Sequence, residues 1–320
     1  MLDNLIFSIN TALPIFLVML MGWGLKRKKI LNDTFIQTAN TLVFYVALPI
    51  KLFQDVAGTT FTEAFDTGLV LFLVLATIIS IPCIWLIGRF FIREPQKLGA
   101  FVHGGFRGNF LYIGFSLLEN ITGSIGPKAP IAIAFIIPLY NALAVMILAL
   151  ANAGAGQDKG NRRHQVRHLV ASILRNPLII AIGAGFVASA LSLPLPLVAT
   201  RTMNYFNALT SPLALIAIGA SFQMGAALKN LQPALVASGV KLVLLPLVTV
   251  SLAVMLGYTG SDVILVYILF GVPTATTSYI MTAAMGGDKE LASSIIMMTT
   301  ALSVLTMTAF VFAFRSFGII

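Results

Sequence analysis

An arginine and an asparagine stand in the middle of the apolar stretch GAFVHGGFRGNFLYIGFSLL, flanked by glycines. Arg107 and Asn109 bracket Gly108, and Gly104 and Gly105 lie just before them. Each glycine weakens a helix by roughly 1 kcal/mol relative to alanine and lets another backbone approach closely. A run of them beside a guanidinium and an amide predicts a broken helix lining a cavity. The alternative is glycine-mediated helix packing with Arg107 turned toward an interface. A second stretch, FGVPTATTSYIMTAAMGG, is interrupted at Pro273, which removes a backbone donor and clashes with the turn before it. Thr274, Thr276, Thr277 and Ser278 follow at once. Their hydroxyls either contact a ligand or satisfy backbone groups freed by the proline.

Together these residue types fit the chemistry of anion binding. Two antiparallel broken helices that meet mid-membrane bring half-helix N-termini toward one point, where unpaired N–H groups suit a carboxylate. Arg107 adds a full charge and a planar fork that matches a carboxylate. An arginine at such depth is costly without a partner, and a substrate anion is a candidate. The candidate substrate-binding set is Arg107, Gly108, Asn109, Pro273, Thr274, Thr276, Thr277 and Ser278. Two further residues are coupling candidates. His103 either carries a proton or packs against its neighbours. Lys241 either snorkels to the surface or serves as a fixed countercharge in place of a cation.

The elements that position these residues follow from an internal repeat. Pro14, Pro49, Pro82 and Asn109 match Pro177, Pro212, Pro246 and Pro273 at a spacing of about 164 positions, and Gly22 matches Gly185. The chain of 320 residues is 58% hydrophobic and 10% charged, too few charges to cover a soluble surface of this size. Ten apolar segments are long enough to cross a bilayer, at approximately 4–25, 34–54, 67–91, 98–118, 130–151, 177–193, 203–225, 232–257, 262–285 and 291–314. The prediction is an all-α membrane protein of ten transmembrane helices in two five-helix repeats, residues 1–154 and 177–320, joined by a basic cytoplasmic connector at 155–176.

Most of the 20 Lys and Arg fall on loops that share one side when the N-terminus is outside, among them Lys26 to Lys29, Arg93, Arg162 and Arg163. Lys51, Lys128, Arg201 and Arg315 fall on the other side. This bias places both termini outside and makes the repeat inverted, with helices four and nine as the broken pair. Duplicated, inverted bundles with interrupted helices are the architecture of secondary transporters, whose two related states open to opposite sides. The net charge of +9 is thus topogenic, and no nucleic-acid partner is expected. Neither a cofactor motif nor a metal-binding cluster is present, and no nucleophile elbow or zinc motif points to an enzyme. A channel or a membrane sensor remains a weaker alternative, since polarity concentrates at two breaks instead of running along several helices.

The ten spans resemble the auxin efflux carrier family, as do the stretches GNFLYIG, VPTATTSYIMTAAMGGDKELAS and TTALSVLT. That family includes plant PIN-type exporters and bacterial carriers of malonate or malate. The resemblance covers nearly the whole chain and implies that helices four and nine cross, with the substrate carboxylate near Asn109 and the second crossing at Pro273. It departs from the plant pattern at Gly108, where proline is expected. A homodimer and a place in the bacterial inner membrane, both termini periplasmic, are likewise implied. The expected substrate is a small carboxylate, by preference a dicarboxylate such as malonate, with a proton or sodium as coupling ion. A monocarboxylate or auxin-like aromatic acid is the alternative.

Overall fold

The structure, a computed structural model, describes residues 2–57, 65–154, 177–191, 193–222 and 230–320. The predicted connector at 155–176 and the end of the predicted seventh span at 223–225 lie outside the described residues. Among the described residues every regular element is helical. The chain forms α1 (Leu2–Arg27), α2 (Asp33–Leu42), α3 (Leu48–Ala57), α4 (Thr67–Phe91), α5 (Pro95–Phe106), α6 (Phe115–Thr122) and α7 (Lys128–Gly154). It continues as α8 (Pro177–Ala190), α9 (Leu197–Ala220), α10 (Leu231–Gly239), α11 (Leu245–Met255), α12 (Ser261–Gly271), α13 (Thr277–Ala284) and α14 (Lys289–Ser316). Among the described residues six continuous helical stretches are long and apolar enough to span a bilayer, and Phe110–Thr122, Pro177–Ala190 and Ser261–Gly271 are shorter apolar helices.

Prolines interrupt these helices less often than the sequence pattern suggests. Pro14, Pro82 and Pro212 stay inside α1, α4 and α9. One missing N–H costs a single bond, which neighbouring helices and a locally widened turn can accommodate. Widening is visible at two of the repeat positions. The π-turn Val43–Ala47 joins α2 to α3 just before Pro49, and the π-turn Val240–Leu244 joins α10 to α11 just before Pro246. Among the repeat prolines with described residues on both sides, only Pro273 coincides with a full break, between α12 and α13.

Two predicted boundaries shift. The seventh span begins at Leu197 instead of 203, because Pro196 starts the helix and its first turns carry exposed Arg201 and Thr202. Hydropathy marks only the lipid-facing part of a helix, not the part that projects into the interface. The sixth is described as 14 residues, about 21 Å of helix. That is short of a hydrocarbon core of about 30 Å.

Close backbone approach fixes two helix pairs. A Cβ added to Gly22 of α1 would overlap the carbonyl of Ile216 in α9, and one on Gly219 of α9 would overlap the carbonyl of Met19 in α1. Gly185 of α8 faces Phe53 of α3 in the same manner, a Cβ there falling 3.0 Å from the Phe53 carbonyl oxygen. Lys51, assigned by charge counting to an outer surface, is only 6% exposed. It is paired with Glu119 of α6, whose second oxygen accepts from the Ser211 hydroxyl of α9 at 3.0 Å. A lysine within an apolar run is thus spoken for by a carboxylate on another helix, a pairing invisible to loop counting.

At one end of the bundle Asp66 caps α4, accepting from the Leu69 N–H at 2.9 Å, and the Lys128 ammonium reaches both Asp66 at 3.2 Å and Asp262 at 2.7 Å. The Leu69 N–H, and after it Lys128, hold the Asp66 carboxyl below its ordinary value of 3.8 against the opposing effect of partial burial. A carboxyl lowered in the folded state stabilises the fold above its unfolded value, and that contribution disappears as pH falls through the lower, folded value. Asp66→Asn therefore keeps the cap and flattens the acid limb of a melting-temperature profile below about pH 4, whereas Asp66→Ala loses about 1 kcal/mol at neutral pH.

Candidate functional site

The stretch around Arg107 breaks where its glycines cluster. α5 ends at Phe106, Arg107 turns extended (φ −82°, ψ 104°), and helical geometry resumes in the π-turn Phe110–Gly114 that leads into α6. The second break runs from Val272 (φ −76°, ψ 157°) to the start of α13 at Thr277. The two breaks lie side by side. The Asn109 N–H donates to the Pro273 carbonyl at 2.7 Å, and the Ala275 N–H donates to the Arg107 carbonyl at 3.1 Å. Gly108 and Thr274 form an isolated antiparallel bridge. Backbone groups that each helix loses at its break are thus paired across to the other, as burial demands.

Side chains lock this bridge from behind. The buried Thr274 hydroxyl donates to the Gly104 carbonyl at 2.7 Å, and its N–H donates to the Thr299 hydroxyl of α14 at 3.1 Å. Tyr140 of α7 packs edge-on against both Phe106 and Phe110, at centroid distances of 5.3 and 5.7 Å, one ring on each side of the first break. Both polar groups of Thr274 are thus engaged within the protein.

In front of the bridge lies a cavity of about 280 Å³. It is lined by Arg107, Gly108, Asn109, Thr276 and Thr277 of the predicted set, with Phe110 to Tyr112, Tyr140 and Asn141 beside them. Phe44, Leu178, Ile280 and Met281 supply apolar wall. Pro273, Thr274 and Ser278 are outside this lining and buried. His103 and Lys241 are also wholly buried away from it. The cavity sits at the N-terminal ends of both outgoing half-helices, the π-turn that begins at Phe110 and α13 that begins at Thr277. The Ser278 and Tyr279 N–H groups of α13 donate to the Ala275 and Thr276 carbonyls at 3.0 and 3.2 Å, and the aligned peptide dipoles of each half-helix leave this end with partial positive charge.

Arg107 donates through Nη2 to Asn141 Oδ1 at 2.9 Å and through Nη1 to the Met281 sulfur at 3.0 Å. Both partners are neutral, and no carboxylate among the described residues pairs with this guanidinium. The Asn109 side chain is 6% exposed and has no protein hydrogen-bond partner among the described residues. An uncompensated guanidinium and an idle amide therefore face one cavity.

Asn141 was missed in the sequence. Its signal was an amide three residues after Pro138 inside an apolar span, a pairing of proline and polar residue like the one at the second break. Phe44 lies in the widened turn before Pro49, while Leu178 carries no comparable signal.

The profile of the Membrane transport protein family, the auxin efflux carrier family, matches residues 7–311. The chain belongs to this family. A "Putative malonate transporter" of Rhizobium meliloti (strain 1021) is 30% identical over 87% of this chain and 86% of its own length. An "Uncharacterized transporter" of Methanocaldococcus jannaschii is 22% identical over 92% of this chain and 95% of its own. Another from Escherichia coli (strain K12) is 26% identical over 67% and 68%. This family member is an integral membrane protein and a transporter.

Proposed function

We propose that the chain is a secondary carrier that moves a small organic anion across the membrane by alternating access. The anion is a carboxylate, by preference a dicarboxylate such as malonate. One observation carries the reading: a guanidinium with no carboxylate partner among the described residues faces a cavity at the N-terminal ends of two half-helices. Arg107 takes one carboxylate through its fork, with Asn141 holding the fork's orientation. Asn109 donates through its amide, the Thr276 and Thr277 hydroxyls complete the shell, and Gly108 keeps the bridge thin. Pro273, Thr274 and Ser278 act one layer back, keeping the second break open. The malonate relative at 30% identity supports the choice of anion.

Residues 1–154 and 177–320 are read as two inverted five-helix repeats whose fourth and ninth helices cross at the paired breaks. The contacts of Gly22 on Ile216 and Gly185 on Phe53 support this, since each is the other displaced by about 163 positions. Both termini are then periplasmic, the membrane is the bacterial inner membrane, and the unit is a homodimer. A proton or sodium is the coupling ion. His103, whose Nδ1 lies 3.2 Å from the Thr282 hydroxyl and whose Nε2 lacks a partner among the described residues, is the proton candidate.

A second reading has its own support. The cavity wall contains Phe44, Phe110 and Tyr112, and among the described residues its lining contains a single cation, Arg107. That composition fits a monocarboxylate with an apolar body, such as an aromatic acid. Uptake of labelled malonate into proteoliposomes, with competing acids and an imposed pH gradient, separates the two. Saturable malonate uptake establishes the dicarboxylate carrier, and its response to the gradient reports proton coupling. Absent malonate uptake, with uptake of an aromatic monocarboxylate, reverses the order.

A further inference from the structure

Lys241 has 0% exposure, in the π-turn Val240–Leu244. Its ammonium donates to the Phe106 carbonyl at 3.2 Å and to the Leu269 carbonyl at 3.3 Å. These two oxygens are among those the breaks leave without helical donors, and the Tyr140 hydroxyl also reaches the Leu269 oxygen at 3.4 Å. The residue four past Leu269 is Pro273, which has no N–H, and the residue four past Phe106 is Phe110, beyond the first break. Lys241 therefore caps the C-terminal ends of both α5 and α12 at once. No carboxylate among the described residues pairs with it. Each helix C-terminus carries about half a negative charge, so the two together offset about one ammonium. A Cβ on Gly108 would fall 3.0 Å from the Lys241 nitrogen and 2.9 Å from the Leu269 oxygen, so the thin bridge makes room for this cation.

In carriers with discontinuous helices, unwound carbonyls and half-helix C-termini are where a dissolved sodium ion or proton is held. Here a tethered ammonium stands at such carbonyls. We propose that Lys241 is the resident cation of this carrier: it holds the carbonyl ends of both interrupted helices throughout the cycle, so no dissolved sodium ion binds and transport needs none. The inference rests on the reading of the chain as an alternating-access anion carrier, and it assigns Lys241 as a positioning residue.

The test is the melting temperature of the purified protein as sodium chloride replaces choline chloride at constant ionic strength, with no organic anion present. The wild type melts at the same temperature throughout. Lys241→Ser, which leaves the carbonyls facing a small polar space, melts lower in choline and is raised by roughly 3–6 °C, saturably, by sodium, lithium or potassium. Lys241→Met, which fills the space without charge, melts low in every salt. A saturable sodium effect on the wild type overturns the proposal. So does a Lys241→Ser variant that melts like the wild type in choline, or one that is destabilised and unmoved by any of the three cations. If Lys241→Ser does not fold, the wild-type titration alone decides. In proteoliposomes, wild-type malonate uptake changes less than about twofold between sodium and choline, below the usual range of a coupled ion. Absence of malonate uptake in both salts would count against the substrate and leave the melting result standing.

Discussion

Arg107→Ala lowers anion affinity by roughly 10- to 100-fold while leaving membrane insertion intact. A hydrogen bond to a charged group contributes about 1.5–3 kcal/mol, which converts to that range. Asn141 Oδ1 and the Met281 sulfur lose their donor, but both are neutral and border a cavity that water can enter. The fold therefore loses less than the ligand does. Arg107→Lys discriminates further, because an ammonium keeps the charge and loses the planar fork. If the fork matters, the lysine variant binds at an intermediate level; if charge alone matters, it binds like the wild type. Calorimetric titration or competition of labelled uptake reads both. Unchanged affinity in the alanine variant would reassign Arg107 to holding Asn141 and Met281 in place.

The expected loss is specific because of where the guanidinium sits. Arg107 is the first residue after α5, at the edge of the paired breaks, so its backbone is fixed by the bond from the Ala275 N–H while its side chain projects into the cavity. On the proposed reading one residue thus joins the structural and the recognition layers. The two half-helix N-termini add partial charge from the same side, so the proposed carboxylate would meet positive potential from three sources. An inward- or outward-opening motion that keeps the bridge intact carries all three with it.

The sequence exposes this arrangement unevenly. Arg107, Gly108 and Asn109 are legible because glycine, arginine and amide are out of place in lipid, and Pro273 because it cannot donate. The pairing of the two breaks is legible only as a repeat spacing. Nothing local states that the Asn109 N–H finds the Pro273 carbonyl, since the partner lies far along the chain. For the same reason Asn141 and Thr299 escaped notice: single polar residues in apolar spans look alike until the fold shows which one faces a break. Proline overstated the interruptions, because a proline kept inside a helix and a proline at a break have the same local signature. What separates Pro273 from Pro82 is a second interrupted helix beside it to take up the freed groups. Lys51 shows the converse, a charge whose burial depends on Glu119 in a different helix.

Gly219→Val destabilises the protein by about 3 kcal/mol, at the upper end of what overpacking costs. The obstacle to a Cβ at this position is the Met19 backbone, and the reciprocal obstacle at Gly22 is the Ile216 backbone. A crowded side chain can change rotamer, whereas a backbone carbonyl inside α1 can yield only if the whole helix moves. The α1–α9 pair must then separate and lose contacts along its length. In lipid that loss is not offset by a hydrophobic gain elsewhere, because close packing itself drives helix association. Gly185→Val costs less, since its nearest neighbours are the Val56 side chain at 2.9 Å and the Phe53 carbonyl at 3.0 Å. Gly183, with nothing within 4 Å, is the control: Gly183→Ala is neutral or stabilising by up to about 1 kcal/mol through helix propensity. Melting temperatures of the three variants in one detergent rank them. The ranking also bears on transport, because rocking of one bundle against another needs a block that stays rigid. If the α1–α9 and α3–α8 pairs form that block, Gly219→Val loses turnover beyond its loss of folded protein, while Arg107→Ala loses affinity with its melting temperature largely kept. Equal turnover per folded molecule in Gly219→Val and the wild type would remove α1 and α9 from the rigid block.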